Sequence, residues 1–206
     1  MITLYHAPQS RSSRMIWLLE ELGVGYDIRL VSILRPMTGE GAADPGNPHP
    51  DGKVPAIAHN GRLVAESMAI VLYLTDAFPA AGLGPVAADA ARGEYLTWLA
   101  WYAAELEPAM FARFGQELPG SPMKQRGYDA AVRRLHEALA RGPYMLGARF
   151  SGADVLIASA INFGRTVFPE SQLLDDYIER CRARQAAVRG LALDSASGGQ
   201  HMALAD

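Results

Sequence analysis

The chain has 206 residues, enough for one large domain or two small ones that each bury a core. Lys and Arg number 19 against 22 Asp and Glu, a net charge of -3, which leaves no nucleic-acid footprint. A single cysteine, Cys181, excludes an internal disulfide framework and a four-cysteine zinc site, and fits a reducing compartment.

The N-terminus MITLYHAPQS lacks the basic start and long apolar run of a signal peptide, and no apolar run reaches the roughly 18 residues of a membrane span. The expected location is therefore cytoplasmic, with no membrane partner. Ile2 to Tyr5 reads as a short strand, ended by Ala7-Pro8 and followed by the polar loop QSRSSR. Met15 to Leu22 is a helix stopped by Gly23, and Tyr26 to Val31 a second strand. Strand, helix, strand at this spacing predicts a right-handed βαβ unit. Ser32 to Lys53 is Gly- and Pro-rich and reads as a loop with at most one helical turn; its GEGAADPG is no dinucleotide fingerprint, since the third glycine is misplaced and no strand leads in.

Asp51 to Leu74 is the most structured stretch: a turn, a strand, a hairpin, a strand and a helix. Asn60-Gly61 between AIAH and RLVA suits a two-residue type I′ turn, where both positions need φ > 0. Glu66-Ser67 stands before the apolar helix Met68 to Leu74. Ser67 can cap that helix, whose start offers backbone N–H groups to an anion. This segment reads as a site for a small, peptide-like ligand carrying both charges.

Beyond a Pro/Gly/Ala linker at 79–88 the character becomes helical. Asp89 to Phe114 is helical and aromatic, with Pro108 expected to kink or divide it. Lys124 to Arg141 is amphipathic, with Val132, Leu135 and Leu139 on one side. Ser151 and Asp154 form a capping box before VLIASAI, with Asp where Glu or Gln is usual. Asp175 to Val188 is further helix, and ALDSASGGQHMALAD reads as a frayed tail.

Taken together, LYHAPQSRSSRMIWLLEELG, GKVPAIAHNGRLVAESMAIVLYL and FSGADVLIA resemble the cytosolic glutathione S-transferase family over nearly the whole chain. The bacterial, serine-type members are the most similar, and the Ser10 to Arg14 spacing is shared with the theta and delta classes. The chain departs from the family in its NPHPDG loop, in a helical domain that closes early and in the low-complexity tail. The resemblance implies an α/β thioredoxin-like N-terminal domain (1–78), a linker (79–88) and an all-α C-terminal helical bundle (89–206). It implies a glutathione transferase that activates glutathione as thiolate, with a hydrophobic electrophile as second substrate, no metal, a detoxifying role and a homodimer. The competing readings are a non-catalytic binding or interaction module of this fold, and a glutathione-dependent disulfide or peroxide reductase.

The family pattern assigns candidate residues. Val54-Pro55 would be cis and would pair its backbone with the cysteinyl part of glutathione. Ser67 and the helix start would take the γ-glutamyl carboxylate, and Glu66 the ammonium. Lys53 would reach the glycyl carboxylate; His49 could too, but reads rather as a solvated loop side chain. Ser10 is the first candidate to hold the sulfur and Ser12 its rival, with Ser12 or Ser13 alternatively capping the helix. Tyr5 lies too early in the strand, and Arg11 is a loop cation. A thiol of pKa about 8.5 is only about 3% ionised at pH 7, and lowering it by about two units takes about 2.7 kcal/mol. One charge-assisted hydrogen bond of about 1.5–3 kcal/mol together with a helix end suffices. Trp101, Tyr102, Met110, Phe111 and Phe114 are candidates for the electrophile pocket, against the plainer reading that an aromatic stripe is core.

Overall fold

The computed structural model of the chain describes residues 1–35 and 37–203, the last six of these by backbone alone. The predicted order of elements is present. Strand β1 (Ile2–His6), helix α1 (Ser13–Leu22) and strand β2 (Tyr26–Leu30) are followed by β3 (Ala56–His59), β4 (Arg62–Ala65) and α2 (Ser67–Ala77). The sheet order is β2-β1-β3-β4, with β1 parallel to β2 and antiparallel to β3, and β3 antiparallel to β4. The hairpin turn has φ of 51° at Asn60 and 76° at Gly61, which is what the sequence signal requires. Alternation along β1 buries Ile2, Leu4 and His6 on one face. Ile16, Leu18, Leu19, Ile57, Ile70 and Leu74 are buried in the same unit.

The helical elements are α3 (Arg92–Trp101), a π-helical turn (Tyr102–Leu106), α4 (Glu107–Phe114), α5 (Pro122–Leu139), α6 (Gly152–Phe163), α7 (Gln172–Arg182) and α8 (Gln185–Ala203). Pro108 divides its helix as expected. It has no N–H for the Ala104 carbonyl, and the π turn widens the helix just ahead of it. The Ser151–Asp154 capping box is present in full.

The expected helix 175–188 is broken at Ala183-Arg184, and the expected frayed tail is helical through Ala203; residues 204–206 lie outside the described residues, as does Pro36 in the loop read at 32–53. Gly190, just ahead of the stretch read as a tail, serves close packing. A Cβ on Gly190 would stand 3.0 Å from both the Trp17 Cα and N, so α8 lies directly on α1. Arg184 makes two bonds to Glu21 (2.6 and 2.7 Å), and Arg189 Nε donates to Glu20 at 2.6 Å. Contacts therefore group residues 1–81 with 184–206 as one unit and 82–183 as another, whereas the linker at 79–88 had set 89–206 apart as one helical domain.

Candidate functional site

Three loops of the first unit carry the predicted residues. The first joins β1 to α1. Ser10 is half-buried, and its hydroxyl donates to the Ala7 carbonyl at 2.6 Å. Ser12 has no exposed surface and lies behind it, the two Oγ atoms 2.8 Å apart. Neither Ser12 nor Ser13 caps α1 through its side chain. Ser13 Oγ instead accepts from the Ser10 N–H at 3.1 Å and donates to Asp194 of α8 at 2.6 Å. The Gln9 N–H also points at Asp194, 3.2 and 3.3 Å from its two oxygens. Tyr5 lies inside β1, and Arg11 is exposed.

The second loop precedes β3. The Val54-Pro55 bond is cis. The Val54 side chain is buried against Ala7 and Val31, tying this loop to the end of β1. The NPHPDG departure is closed by its own side chains. Asn47 Nδ2 donates to the Lys53 carbonyl at 3.0 Å, and His49 Nδ1 accepts from the Asp51 N–H at 3.1 Å. His49 is thus a buried loop brace (6% exposed), not the solvated histidine expected, because its ring accepts from the backbone of the turn it stands in. Lys53 reaches outward and lies 3.2 Å from Asp51.

The third is the start of α2. Glu66 precedes it with φ 69° and ψ 128°, a backbone region that non-glycine residues rarely occupy and that costs about 1–3 kcal/mol. The Glu66 carboxylate is exposed, 3.9 Å from His49 Nε2. Ser67 does not cap α2, and no side chain does. Its hydroxyl accepts instead from the buried Arg14 of α1, at 3.2 Å. The α2 start offers backbone N–H groups to an anion, while Glu66 beside it offers a partner for a cation. The arrangement fits an amino-acid end group, ammonium and carboxylate together.

In the second unit the five aromatic and Met candidates divide. Trp101, Tyr102 and Met110 are buried. Trp101 packs edge-on to Trp98 at 5.2 Å, with Arg134 over both rings, and Tyr102 Oη donates to Glu107. Phe111 and Phe114 keep exposed surface and lie 6.0 Å apart. Among the described residues no cluster of three His, Cys, Asp or Glu could hold a metal, and no helix is long and apolar enough to cross a membrane.

Residues 4–82 match the family model described as glutathione S-transferase, N-terminal domain. Glutathione S-transferase 3 of Schizosaccharomyces pombe is 34% identical over 115 residues, covering 54% of this chain and 45% of that protein. Glutathione S-transferase GstA of Escherichia coli O157:H7 is 28% identical over 147 residues, covering 69% and 73%. The chain thus spans less than half the length of the first of these relatives. Among solved structures, a glutathione S-transferase of Actinobacillus pleuropneumoniae superposes with a TM-score of 0.81 at 23% identity, covering 95% of this chain and 93% of that one. A glutathione transferase of Methylococcus capsulatus gives 0.76 at 25% identity, covering 95% and 99%. The fold is a thioredoxin-like domain followed by helices, and over residues 4–82 the chain is similar to the N-terminal domain of glutathione S-transferases.

Two features of the loop escaped the sequence. His6 and Asp194 both touch it, and neither was a candidate. The signal for His6 was the alternation Ile2, Leu4, His6, cut short by ending the strand at Tyr5. For Asp194, which lies 181 residues from its partner Ser13, no local signal exists.

Proposed function

We propose that the chain is a glutathione transferase that binds glutathione on the first unit and offers its thiolate to an electrophilic small molecule. The carrying observation is the start of α2: a helix end with no side-chain cap, a buried Arg14 beneath it and an exposed Glu66 held at a rare backbone angle beside it. The γ-glutamyl carboxylate of glutathione would lie on the α2 N–H groups and the Ser67 hydroxyl, with its ammonium at Glu66. The Val54 backbone would pair with the cysteinyl residue and Lys53 would face the glycyl carboxylate. Ser10, the serine with surface, would donate to the sulfur, with Ser12 behind it. Phe111 and Phe114 would offer the electrophile an apolar wall, supported by Trp101, Tyr102 and Met110. A homodimer and a cytoplasmic location complete the proposal.

A protein-thiol reductase is disfavoured because Cys181 has no exposed surface. The test is thermal unfolding with and without millimolar glutathione, then turnover of an aryl halide and of a hydroperoxide. Stabilisation and aryl-halide turnover are expected. Stabilisation without turnover would favour a binding module, turnover of the hydroperoxide alone a reductase, and no stabilisation would remove the glutathione site.

A further inference from the structure

Gln9 stands directly before Ser10, and its φ is 54°, in the left-handed region that residues other than glycine seldom occupy. A residue stays there only where its surroundings hold it. Its φ and ψ are the rotations that relate the two peptide planes on either side of it, and each plane carries one C=O and one N–H. Holding both planes therefore holds Gln9.

All four of those groups are bonded within the first unit. Arg35, in the loop after β2, takes both carbonyls: Nη2 donates to Pro8 at 2.8 Å and Nη1 to Gln9 at 3.3 Å. The N–H ends of the same planes point the other way, toward α8 and the start of α1. That of Gln9 lies 3.2 and 3.3 Å from the two Asp194 oxygens. That of Ser10 donates to Ser13 Oγ at 3.1 Å, and Ser13 Oγ donates in turn to Asp194 at 2.6 Å. A guanidinium is a rigid fork of several N–H donors, so one side chain can span successive carbonyls, which the single ammonium of a lysine does less well. Arg35 is itself fixed by a turn. Its N–H donates to the Glu40 carbonyl and its carbonyl accepts from the Gly39 N–H, both at 2.8 Å.

We infer that Arg35 is a positioning residue for the sulfur contact: by holding the Pro8 and Gln9 carbonyls it locks the left-handed turn that places Ser10. This rests on the proposed transferase function, in which Ser10 donates to the glutathione thiolate. Without Arg35 the two planes are held at their N–H ends alone. Gln9 then relaxes toward negative φ, and the plane that leads into Ser10 turns with it.

The experiment uses the full chain. In Arg35→Ala the ultraviolet thiolate absorbance of bound glutathione should titrate about one unit higher, with about tenfold lower kcat/KM for an aryl halide at neutral pH and an unchanged KM for glutathione. A second substitution reads the cause. Glycine adopts positive φ without steric cost, so Gln9→Gly added to Arg35→Ala should restore most of the titration and the rate. Arg35→Lys should fall between wild type and Arg35→Ala. A raised KM for glutathione with an unmoved titration would make Arg35 a direct ligand contact and overturn the inference. So would a shifted titration that Gln9→Gly leaves where it is. Should Arg35→Ala not fold, Arg35→Lys takes its place in the same comparison. On ligand-free protein, amide exchange at Gln9 and Ser10, followed by NMR, should quicken about tenfold in the Arg35 variant while amides of β1 keep their rates. Unchanged exchange at both also overturns the inference. If wild-type protein gains no stability from glutathione, the transferase function fails instead, and the exchange rates still decide whether Arg35 holds Gln9.

Discussion

Glu66 holds its backbone at φ 69° and ψ 128° while exposing its carboxylate beside the open end of α2. A position that is costly to the fold and empty of packing is spent on placing a charge. Glu66→Gln keeps the shape and removes the charge. It should weaken glutathione binding about tenfold, one charge-assisted contact, with stability changed by less than about 0.5 kcal/mol. Calorimetric titration and a melting curve check both halves, and unchanged affinity would remove Glu66 from the site. Asp154 is the opposite case, a buried charge that serves structure. Its carboxyl accepts from the Met145 N–H, the Tyr177 hydroxyl, and the Ser151 N–H and hydroxyl. Burial nevertheless dominates and pushes it up to about 6. A folded pKa above the unfolded value means that the native state holds the proton longer. The stability this gives is fully present below about pH 4 and is lost as pH rises through about 6, up to about 3 kcal/mol in all. Denaturant unfolding of wild type and Asp154→Asn should show a smaller wild-type advantage at about pH 7.5 than at about pH 5. An advantage that grows with pH would contradict the raised value.

At the scale of elements, α8 shows most plainly what a sequence conceals. Its Ser, Gly and Ala residues have no strong apolar period, and composition alone reads as a tail. Their value lies in what they leave out: at Gly190 there is no Cβ, and α8 can rest on the backbone of Trp17. That need exists only once α1 is in place, so nothing in the sequence around Gly190 announces it. Gly190→Ala raises intrinsic helix propensity but forces the two helices apart, and overpacking of this kind costs about 1–3 kcal/mol. A lower melting temperature is expected; a higher one would mean that propensity outweighs the contact. By contrast, the hairpin, the capping box and the Pro108 break were legible, because Asn60-Gly61, Ser151 with Asp154, and a proline each act on their own neighbours in the chain.

For the whole molecule, the same division between local and distant separates the parts of the site. Val54-Pro55, Glu66-Ser67 and Ser10 lie in short motifs, and their order along the chain pointed to the first domain and to the ligand proposed for it. Arg14 beneath Ser67, Asn47 bracing Lys53, and His6 with Asp194 behind Ser12 are contacts between elements, set by how the sheet, α1 and α8 pack. They were hidden because each residue is unremarkable in its own surroundings. The rivalry of Ser10 and Ser12 also could not be decided from spacing. Burial distinguishes the two, Ser12 having no exposed surface and Ser10 being half-buried.

The reach of α8 back to the first loop has a consequence in time. Domains emerging from the ribosome fold from the N-terminal side first, at about 5–20 residues per second. The sheet and α1 can assemble early, but Ser13 and Gln9 wait for Asp194, 181 and 185 residues further on. On this view a growing chain holds an unfinished loop until α8 is made, and the hydrogen bonds of Ser13 and Gln9 to Asp194 form only when that helix docks. The loop after β1 is then completed long after nearly all of its residues have been made.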